Sequence, residues 1–380
     1  MKTLQTVITQ PDALGTALSA LVELKPDWIQ VFGSLRYLTQ PDFVPTLRAA
    51  FPDALLTGCS TAGEIAQDGV HDDACVVNAV RFDSVTLRCA TTKLAGMDDS
   101  GAAGVRLGTQ LQADDLRAVM VWGPGVAING SALVDGMASV LGPQVPLTGG
   151  LAGDGGAFAQ TWTLGPAGVQ DDQVVAIGFT GEALRFGHGS FGGWEPFGPA
   201  RKVTRAVGNI LYELDGAPAL DVYKRYLGDY AKDLPASGLL FPFAMLGTDH
   251  DETGLIRTIL AVSETDGSLT LAGEIIEGGY LKLMHASTDR LVDGAEAAAE
   301  ATQAMLAAPD GGLAILVSCV GRKLVMGARV DEEVEAVGDV LGQGACLTGF
   351  YSYGEISPFA PGVACKLHNQ TMTITYLGED

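Results

Sequence analysis

Apolar and polar positions follow the same order of elements three times along the chain. The first copy begins with the apolar strand 28–32 and continues with a helix over 41–51, in which apolar residues recur every four positions. A second strand ends in Leu56-Thr57-Gly58, and the apolar segments 74–82 and 84–91 predict two paired strands. A strand–helix–strand passage requires a crossover helix and a parallel strand pair. The pattern therefore predicts a β-α-β-β-β unit.

Two later stretches repeat this order at similar spacing. In the order first strand, helix, Leu-Thr-Gly and two closing strands, the second copy comprises residues 118–122, 131–141, 147–149, 174–179 and 183–191. The third copy comprises, in the same order, residues 313–317, 330–341, 347–349, 363–368 and 371–377. We therefore predict an α/β protein with mixed sheets, in which segments 25–92, 115–191 and 310–377 superpose as an internal repeat.

The pattern changes between the second and third copies. Residues 203–214 predict a hairpin, after which Asp215-Gly216 interrupts the strand and Pro218 opens a helix. We place a domain boundary at this break, which divides the chain into two domains, residues 1–215 and 216–380, that share the repeated unit. The second domain is also predicted to contain a hairpin of residues 255–262 with 269–275 and a helix over 293–307.

Composition limits the classes of partner. The chain has 23 Lys and Arg against 45 Asp and Glu, a formal net charge of −22, and 47% of its residues are hydrophobic. The apolar fraction supports a large core, whereas the acidic surplus would repel phosphate backbones and anionic membranes. The sequence shows no signal peptide and no apolar run of membrane-helix length. We therefore expect an acidic, cytoplasmic protein that binds neither nucleic acid nor a membrane.

Short motifs in a fixed order run through most of the chain. They are Gly58-Cys59-Ser60-Thr61-Ala62-Gly63-Glu64-Ile65, Gly149-Gly150-Leu151-Ala152-Gly153-Asp154, Trp194-Glu195-Pro196-Phe197-Gly198, Leu214-Asp215-Gly216-Ala217-Pro218-Ala219, Gly349-Phe350-Tyr351-Ser352-Tyr353-Gly354-Glu355-Ile356 and His368-Asn369-Gln370-Thr371. Together they resemble the FIST-domain signal-transduction proteins, with a FIST N domain followed by a FIST C domain over roughly residues 25–376.

The resemblance implies an intracellular sensory module that binds a small ligand. It also implies a separate signalling partner, such as a histidine kinase or a cyclic-dinucleotide enzyme, because the chain leaves no room for an output domain of its own. Some members of the family bind haem and sense nitric oxide, so a haem-binding sensor is an alternative.

The loops that follow Leu-Thr-Gly are the predicted ligand site, because they leave the carboxyl ends of equivalent strands, where α/β sheets bind their ligands. The candidate ligand-binding residues are Cys59, Ser60, Thr61, Glu64, Gly149, Gly150, Asp154, Trp194, Tyr351, Ser352, Tyr353 and Glu355. The three carboxylates among them would suit an amino-acid-like ligand that carries an amine. Alternatively, each carboxylate caps backbone N–H groups of a glycine turn.

No catalytic motif is recognisable, so we expect a binding protein rather than an enzyme. The alternative is a hydrolase with Cys59 or Ser60 as nucleophile, which would need a base that no recognisable spacing identifies. The six cysteines lack CxxC spacing and lie mostly in apolar segments, which is typical of reduced, buried thiols. The five histidines share no metal-ligand spacing, and we expect no metal site.

Haem would need only one axial histidine. His188 is the candidate, because Gly187 and Gly189 flank it in a strand and would let a flat macrocycle approach. The other explanation of these glycines is an open, flexible strand edge. We expect no cofactor, and haem on His188 is the alternative.

Overall fold

The computed structural model describes residues 1–306, 311–359 and 362–380. These residues form three six-stranded sheets and one nine-stranded sheet, with helices packed on them. Parallel and antiparallel neighbours occur in the same six-stranded sheet. The predicted α/β class with mixed sheets is therefore confirmed.

The elements group into three units and one insertion. Unit one contains β1 (Lys2–Ile8), α1 (Leu14–Ala17), α2 (Ser19–Val22), β2 (Trp28–Gly33), α3 (Leu35–Leu38), α4 (Phe43–Ala50), β3 (Leu55–Ser60), β4 (Glu64–Ala66), β5 (Gly69–His71) and β6 (Cys75–Arg81). Unit two contains β7 (Thr86–Lys93), α5 (Ser100–Leu111), β8 (Leu116–Gly123), α6 (Gly130–Leu141), β9 (Leu147–Leu151), β10 (Thr163–Gly165), β11 (Gly168–Gln170) and β12 (Gln173–Thr180).

Unit three begins with β13 (Leu184–Phe191) and is then interrupted by the insertion, residues 192–287. The insertion contains β14 (Glu195–Pro196), β15 (Arg201–Val207), β16 (Ile210–Leu214), β17 (Ala217–Pro218), α7 (Ala219–Leu227), β18 (Phe243–Leu246), β19 (Glu252–Arg257), β20 (Ile259–Ser263), β21 (Ser268–Leu271) and β22 (Tyr280–His285). Unit three resumes with α8 (Thr288–Ala304), β23 (Gly312–Cys319), α9 (Val320–Met326), α10 (Asp331–Leu341), β24 (Ala345–Ser352), β25 (Gly354–Pro358), β26 (Cys365–His368) and β27 (Met372–Glu379). Short 3-10 helices lie at Pro11–Ala13, Met97–Asp99, Gly228–Asp233, Ala236–Leu239 and Gly327–Arg329.

Each six-stranded sheet takes four strands from one unit and a hairpin from another. The strand orders are β1-β6-β2-β3-β10-β11, β7-β12-β8-β9-β25-β26 and β13-β27-β23-β24-β4-β5. The parallel pairs are β2 with β3, β8 with β9 and β23 with β24. The β10–β11 hairpin of unit two completes the sheet of unit one, and the β25–β26 hairpin of unit three completes the sheet of unit two. The β4–β5 hairpin of unit one completes the sheet of unit three. The three units are thereby interlocked in a closed cycle.

The central strand of each sheet is covered on both faces. β2 is buried along its whole length, the pattern of a strand between two apolar layers. Val31 packs in the cluster that contains the helices of unit one, while Trp28 and Phe32 pack where the three sheets meet. The ring of Trp28 lies 6.2 Å from that of Trp122 in unit two, and the ring of Phe32 lies 4.7 Å from that of Phe350 in unit three. One shared core therefore joins the units.

Leu-Thr-Gly lies on the second parallel strand of every unit, namely β3, β9 and β24. A Cβ atom added at Gly58, Gly149 or Gly349 would lie 1.8–2.0 Å from a backbone oxygen of the adjacent parallel strand. Gly149 also has a φ of +131°, which L side chains rarely adopt. The third position of the motif is therefore glycine because the strands approach too closely for a side chain.

The predicted limits of the units are wrong by one strand. Segments 84–91 and 183–191 were each expected to close a copy, but β7 pairs with β12 of unit two and β13 pairs with β27 of unit three. In the third copy, segment 363–368 is half of the exchanged hairpin, and segment 371–377 is the closing strand. A short turn joins β6 to β7 and another joins β12 to β13, so the local pattern of apolar residues does not show where one sheet ends and the next begins. The superposition of the three predicted segments stays a prediction.

The nine-stranded sheet is built by the insertion alone. Its order is β19-β18-β22-β15-β16-β21-β20, with β14 paired to β22 and β17 to β16. The predicted hairpin over 203–214 and the helix after Pro218 are confirmed as β15–β16 and α7. Leu214 pairs with Ala217, so the sheet continues across the predicted boundary at 215/216. The division into domains 1–215 and 216–380 stays a prediction.

Helix α8 begins five residues before the predicted helix 293–307, because the Ser287 side chain accepts a hydrogen bond from the N–H of Arg290 and caps it. The predicted last residue of that helix, and residue 310 at the start of the third predicted segment, lie outside the described residues. None of the helices in the described part of the chain has both the length and the apolar composition that a membrane crossing needs.

Candidate functional site

The loops after β3, β9 and β24 meet in a closed ring of backbone hydrogen bonds. The three bonds join equivalent positions, and they run from Ala62 N–H to Tyr351 O (2.8 Å), from Gly153 N–H to Ser60 O (2.9 Å) and from Tyr353 N–H to Leu151 O (3.1 Å). Each loop therefore donates to one neighbour and accepts from the other. The ring places the carboxyl ends of three parallel strand pairs around one point.

Unit one presents a hydroxyl–carboxyl pair beside this ring. The Thr61 hydroxyl donates to Oε1 of Glu64, and the N–H of Ala74 donates to Oε2 at 3.0 Å. Glu64 is only 1% exposed, and burial raises the pKa of its carboxyl to about 7 against the pull of these donors and of Lys323. This carboxyl therefore changes its charge near neutral pH.

Unit three contains the equivalent pair. The Ser352 hydroxyl donates to Oε1 of Glu355 at 2.6 Å, and the backbone N–H and hydroxyl of Thr371 donate to Oε2 at 3.1 and 3.0 Å. Glu355 is fully buried, and desolvation raises its pKa to about 8. Both carboxyls bind a loop hydroxyl and the start of their closing strand, so they stabilise the loop geometry as well as hold a titratable proton.

Unit two departs from this pattern. Strand pairing identifies the equivalent residues, because each of them lies opposite the residue that directly follows Leu-Thr-Gly in a neighbouring unit. Glu64 lies opposite Phe350, Glu355 opposite Gly150 and Thr163 opposite Cys59. Thr163, and not Asp154, therefore occupies the place of the two glutamates. The loop of unit two is longer before its hairpin, which displaces its acid from the equivalent position.

Asp154 organises its own loop. Its carboxylate accepts backbone N–H bonds from Phe158 (2.8 Å), Ala159 (2.7 Å) and Gln160 (2.9 Å) and a hydrogen bond from the Tyr353 hydroxyl. Desolvation opposes ionisation, but these donors outweigh it and lower the pKa of Asp154. This arrangement is the capping role that the sequence left open, with Tyr353 of unit three as an additional partner.

A cleft of about 540 Å³ opens beside the ring. We call it the three-loop cleft, and it is lined by residues 34–36, 61–64, 72–73 and 154–156 together with Val320, Lys323, Leu324 and Gly327. Three of these segments begin directly after the carboxyl ends of β2, β3 and β23, and segment 154–156 follows the carboxyl end of β9 after two intervening residues. The cleft thus lies where ligands of α/β sheets ordinarily bind.

The cleft contains charges of both signs. The Lys323 ammonium donates to the carbonyl oxygen of Ala62 at 2.9 Å and pairs with the exposed Asp72. Glu64 lies at its inner wall. The buried Ser34 hydroxyl oxygen also lines the cleft and has no hydrogen-bond partner within the described residues. A small polar ligand would therefore find a cation, a carboxyl group and an unoccupied hydroxyl within one cavity.

The structure brings some of the predicted site residues together and separates others. Thr61, Glu64 and Asp154 line the cleft, and Tyr353 reaches it through Asp154. Glu355 is not among the residues that line it. Lys323 and Ser34 were missed. The signal for Ser34 was its position directly after the first parallel strand, whereas no motif marks Lys323.

Glycine and tryptophan candidates have other roles. Gly149 and Gly150 lie within β9, where Gly149 permits the close approach of β8. Trp194 belongs to the insertion, and its indole N–H donates to the carbonyl oxygen of Gln370 at 2.7 Å. It packs with Leu291 and holds the insertion against unit three.

Tyr351 is part of a buried polar cluster. Its hydroxyl donates to Oε1 of Glu333 at 2.6 Å, and Ser318 donates to the same oxygen at 2.9 Å. Arg322 pairs with Oε2 of Glu333 at 2.7 Å and also binds the backbone oxygens of Leu291 and Gly192. Arg322 and Glu333 are both 0% exposed. The cluster joins α9 and α10 to β24 and the insertion.

The two candidate nucleophiles, Cys59 and Ser60, are both buried. Cys59 is fully buried, and desolvation raises the pKa of its thiol well above the usual value, so the reactive thiolate is disfavoured. The Ser60 hydroxyl oxygen accepts the N–H of Trp162 at 2.9 Å. All six cysteines are free thiols, as expected. Four of them are buried, whereas Cys346 is partly buried and Cys89 is exposed. Within the described residues, no group of three or more His, Cys, Asp or Glu side chains is placed to hold a metal ion.

His188 lies in a strand between two glycines that face a helix. A Cβ at Gly187 would lie 2.9 Å from the carbonyl oxygen of Thr302, and one at Gly189 would lie 2.1 Å from that of Ala298, both in α8. The glycines therefore admit α8 against the sheet and not a macrocycle. His188 is 4% exposed, and burial lowers its pKa to about 4. These surroundings do not fit an axial haem ligand, and the absence of a cofactor stays a prediction.

Comparison with known proteins covers most of the chain. Residues 27–217 match the FIST N domain and residues 219–358 match the FIST C domain. An uncharacterized protein of Methanocaldococcus jannaschii is 30% identical over 174 residues, which are 40% of this chain and 32% of that protein. The chain thus aligns with about a third of that relative's length. The crystal structure of a cyanuric acid hydrolase from A. caulinodans aligns over 99% of this chain and 98% of its own, with 10% identity and a TM-score of 0.36.

Proposed function

Because this chain belongs to the FIST family, we propose that it is an intracellular sensory protein that binds a small amino-acid-like ligand in the three-loop cleft. FIST domains are associated with sensory signal transduction and small-ligand binding. The signal passes to a separate partner protein, such as a histidine kinase or a cyclic-dinucleotide enzyme. In this proposal the protein binds its ligand and does not transform it.

The observation that carries the proposal is the convergence of the units on the cleft. Segments from all three units line it, and each follows the carboxyl end of a strand. A ligand in the cleft would therefore contact all three interlocked sheets at once. A small molecule that contacts all three units can bind one arrangement of the core more tightly than another, and it then shifts the equilibrium toward that arrangement.

The charges of the cleft favour a ligand with both an amine and a carboxylate. Glu64 would accept the amine, because a cation beside this carboxyl favours its ionised form. The Lys323 ammonium and the unpartnered Ser34 hydroxyl would donate hydrogen bonds to the carboxylate of the ligand. The small residues Ala62 and Gly63 leave space for the backbone part of such a ligand.

The test is a calorimetric titration of the purified protein with a panel of standard amino acids. We expect at least one to bind, and Lys323→Ala to weaken that binding by about tenfold, the order of a lost charge-assisted hydrogen bond. Lys93→Ala is the matched control, since Lys93 also makes a lysine–aspartate pair, 2.9 Å from Asp172, but outside the cleft. Equal affinity in the two variants, or no binding of any amino acid, would contradict the assignment.

The signalling step needs a separate measurement. A candidate histidine kinase is assayed for autophosphorylation with the protein, with and without the bound amino acid. A rate that depends on both components would support the proposal. A rate that ignores the ligand would contradict its sensory part.

A further inference from the structure

The nine-stranded sheet of the insertion carries a groove of about 440 Å³ on the face opposite its own apolar core. We call it the sheet groove. Its lining residues lie on β18, β19 and β22, at β14 and the residue before it, and in the turn before β19. Leu281 and Leu283 of β22 pack in the core of the insertion, so Lys282 and Met284, which alternate with them, face the groove. No described residue lines both this groove and the three-loop cleft.

Strand register places three of the lining side chains in one row across the groove. Ala244 of β18 pairs with Lys282 of β22 on one side and with Ile256 of β19 on the other. Paired residues of neighbouring strands have their side chains on the same face of the sheet. Alanine has the shortest of the three side chains, so the row is lowest in the middle. The groove is therefore a slot over Ala244, with Lys282 and Ile256 as its walls.

One end of the groove is apolar and almost fully buried. Trp194 is 9% exposed and Met284 is 7% exposed, and both pack in a cluster with Leu291. The indole N–H of Trp194 donates to the carbonyl oxygen of Gln370 at 2.7 Å, which fixes the orientation of the ring. Aromatic rings and methionine sulfur both contact aromatic groups favourably. This end of the groove therefore suits an aromatic ring.

The groove also contains a cation without a partner. Lys282 is partly buried, and its ammonium forms neither an ion pair nor a hydrogen bond with any residue that the structure describes. Lys224, elsewhere in the insertion, is paired, since its ammonium lies 2.6 Å from a carboxylate oxygen of Glu264. The exposed Glu252 also lines the groove and would repel a second negative charge. The groove is thus suited to an anion with a single charge.

We propose that the sheet groove binds an aromatic molecule that carries a single carboxylate. The aromatic ring lies over Ala244 and contacts Trp194 and Met284. The carboxylate accepts a hydrogen bond from the Lys282 ammonium, which supplies the counter-charge. The apolar contacts hold the ligand against the repulsion of a chain whose formal net charge is −22. This site is separate from the amino-acid site and does not depend on it.

The probe is benzoate, titrated into the whole chain and followed by ligand-detected NMR. Benzamide has the same ring without the charge, and acetate has the charge without the ring. We expect benzoate to bind more tightly than either of them. Lys282→Ala should weaken benzoate binding by about tenfold, because a hydrogen bond between two charged groups is lost, and should leave benzamide binding unchanged. Lys202→Ala is the matched control, since Lys202 is an exposed lysine of the same sheet that lies outside the groove.

A second variant tests the contact with the ring. Ala244→Leu fills the slot and should abolish the binding of both benzoate and benzamide. Glu64→Gln in the three-loop cleft should leave benzoate binding intact, which separates this proposal from the amino-acid site. The proposal is overturned if benzoate does not bind, if benzamide or acetate binds as tightly, or if Lys202→Ala weakens benzoate binding as much as Lys282→Ala. Benzoate binding that survives in Ala244→Leu, or is lost in Glu64→Gln, would also overturn it.

Discussion

Glu333→Gln should destabilise the protein more than any other isosteric change on α10. The Glu333 carboxylate accepts hydrogen bonds from Arg322, Tyr351 and Ser318, and the Arg322–Glu333 pair is completely excluded from solvent. The substitution removes the negative charge and leaves the Arg322 guanidinium buried without a counter-charge. Breaking a buried pair in this way costs about 3–5 kcal/mol. Because Gln keeps one acceptor oxygen, we expect a loss of about 3 kcal/mol in the free energy of unfolding.

The assay is urea denaturation of the variant and of Glu335→Gln, its matched control. Glu335 lies on the same helix but is exposed, so its change should stay within about 0.5 kcal/mol. Replacing both partners with apolar residues, as in Arg322→Met with Glu333→Leu, should cost less than Glu333→Gln alone. A loss below about 1 kcal/mol for Glu333→Gln would mean that the buried pair contributes no more than a median surface pair, contrary to this prediction.

Three further predictions concern the loops and the thiols. Gly149→Ala should lower the melting temperature strongly, because the added Cβ would lie 2.0 Å from a backbone oxygen. Gly15→Ala is the control and should not lower it, because no atom lies nearer than 4.0 Å to the added Cβ. Equal melting temperatures of the two variants would contradict the close approach of the strands. Glu355 has a folded-state pKa of about 8, raised from 4.5, so the folded state binds its proton more tightly and the free energy of unfolding should fall as pH rises between these values. Urea titrations of Glu355→Gln should show a weaker pH dependence of the free energy of unfolding. An unchanged pH dependence would mean that another group binds the proton. Iodoacetamide should modify Cys89 in the folded protein and leave Cys59 unmodified, as mass spectrometry of the digested protein would show; equal modification would mean that the thiol of Cys59 is accessible.

The α/β architecture and the place of Leu-Thr-Gly could be predicted from the sequence, because local physics repeats in each unit. A parallel pair of strands needs a crossover helix, and the close approach of these strands requires glycine at Gly58, Gly149 and Gly349. The exchange of hairpins could not be predicted. β4 and β24 pair although they are far apart in the chain, and nothing in either segment identifies its partner.

The candidate site divides in the same way. Thr61 and Glu64 could be identified, since they follow a strand end in a motif that recurs as Ser352 and Glu355. Lys323 could not be identified, because it reaches the cleft from α9 of unit three, and only the packing of the units brings it to Ala62. In unit two, the motif matched Asp154 to the two glutamates, but the longer loop places Thr163 in their position.

An amine-bearing ligand in the three-loop cleft should contact the Glu64 carboxyl. This contact is tested by a calorimetric titration of the wild-type protein, Glu64→Gln and Glu355→Gln with the amino acid that binds best, at pH values about one unit either side of the Glu64 pKa of about 7. Glu355 is the matched control, since it makes the same hydroxyl–carboxyl pair but does not line the cleft. We expect wild-type affinity that rises with pH, a loss of about tenfold in Glu64→Gln at the higher pH, and little change in Glu355→Gln. Unchanged affinity in Glu64→Gln, or an equal loss in both variants, would contradict it.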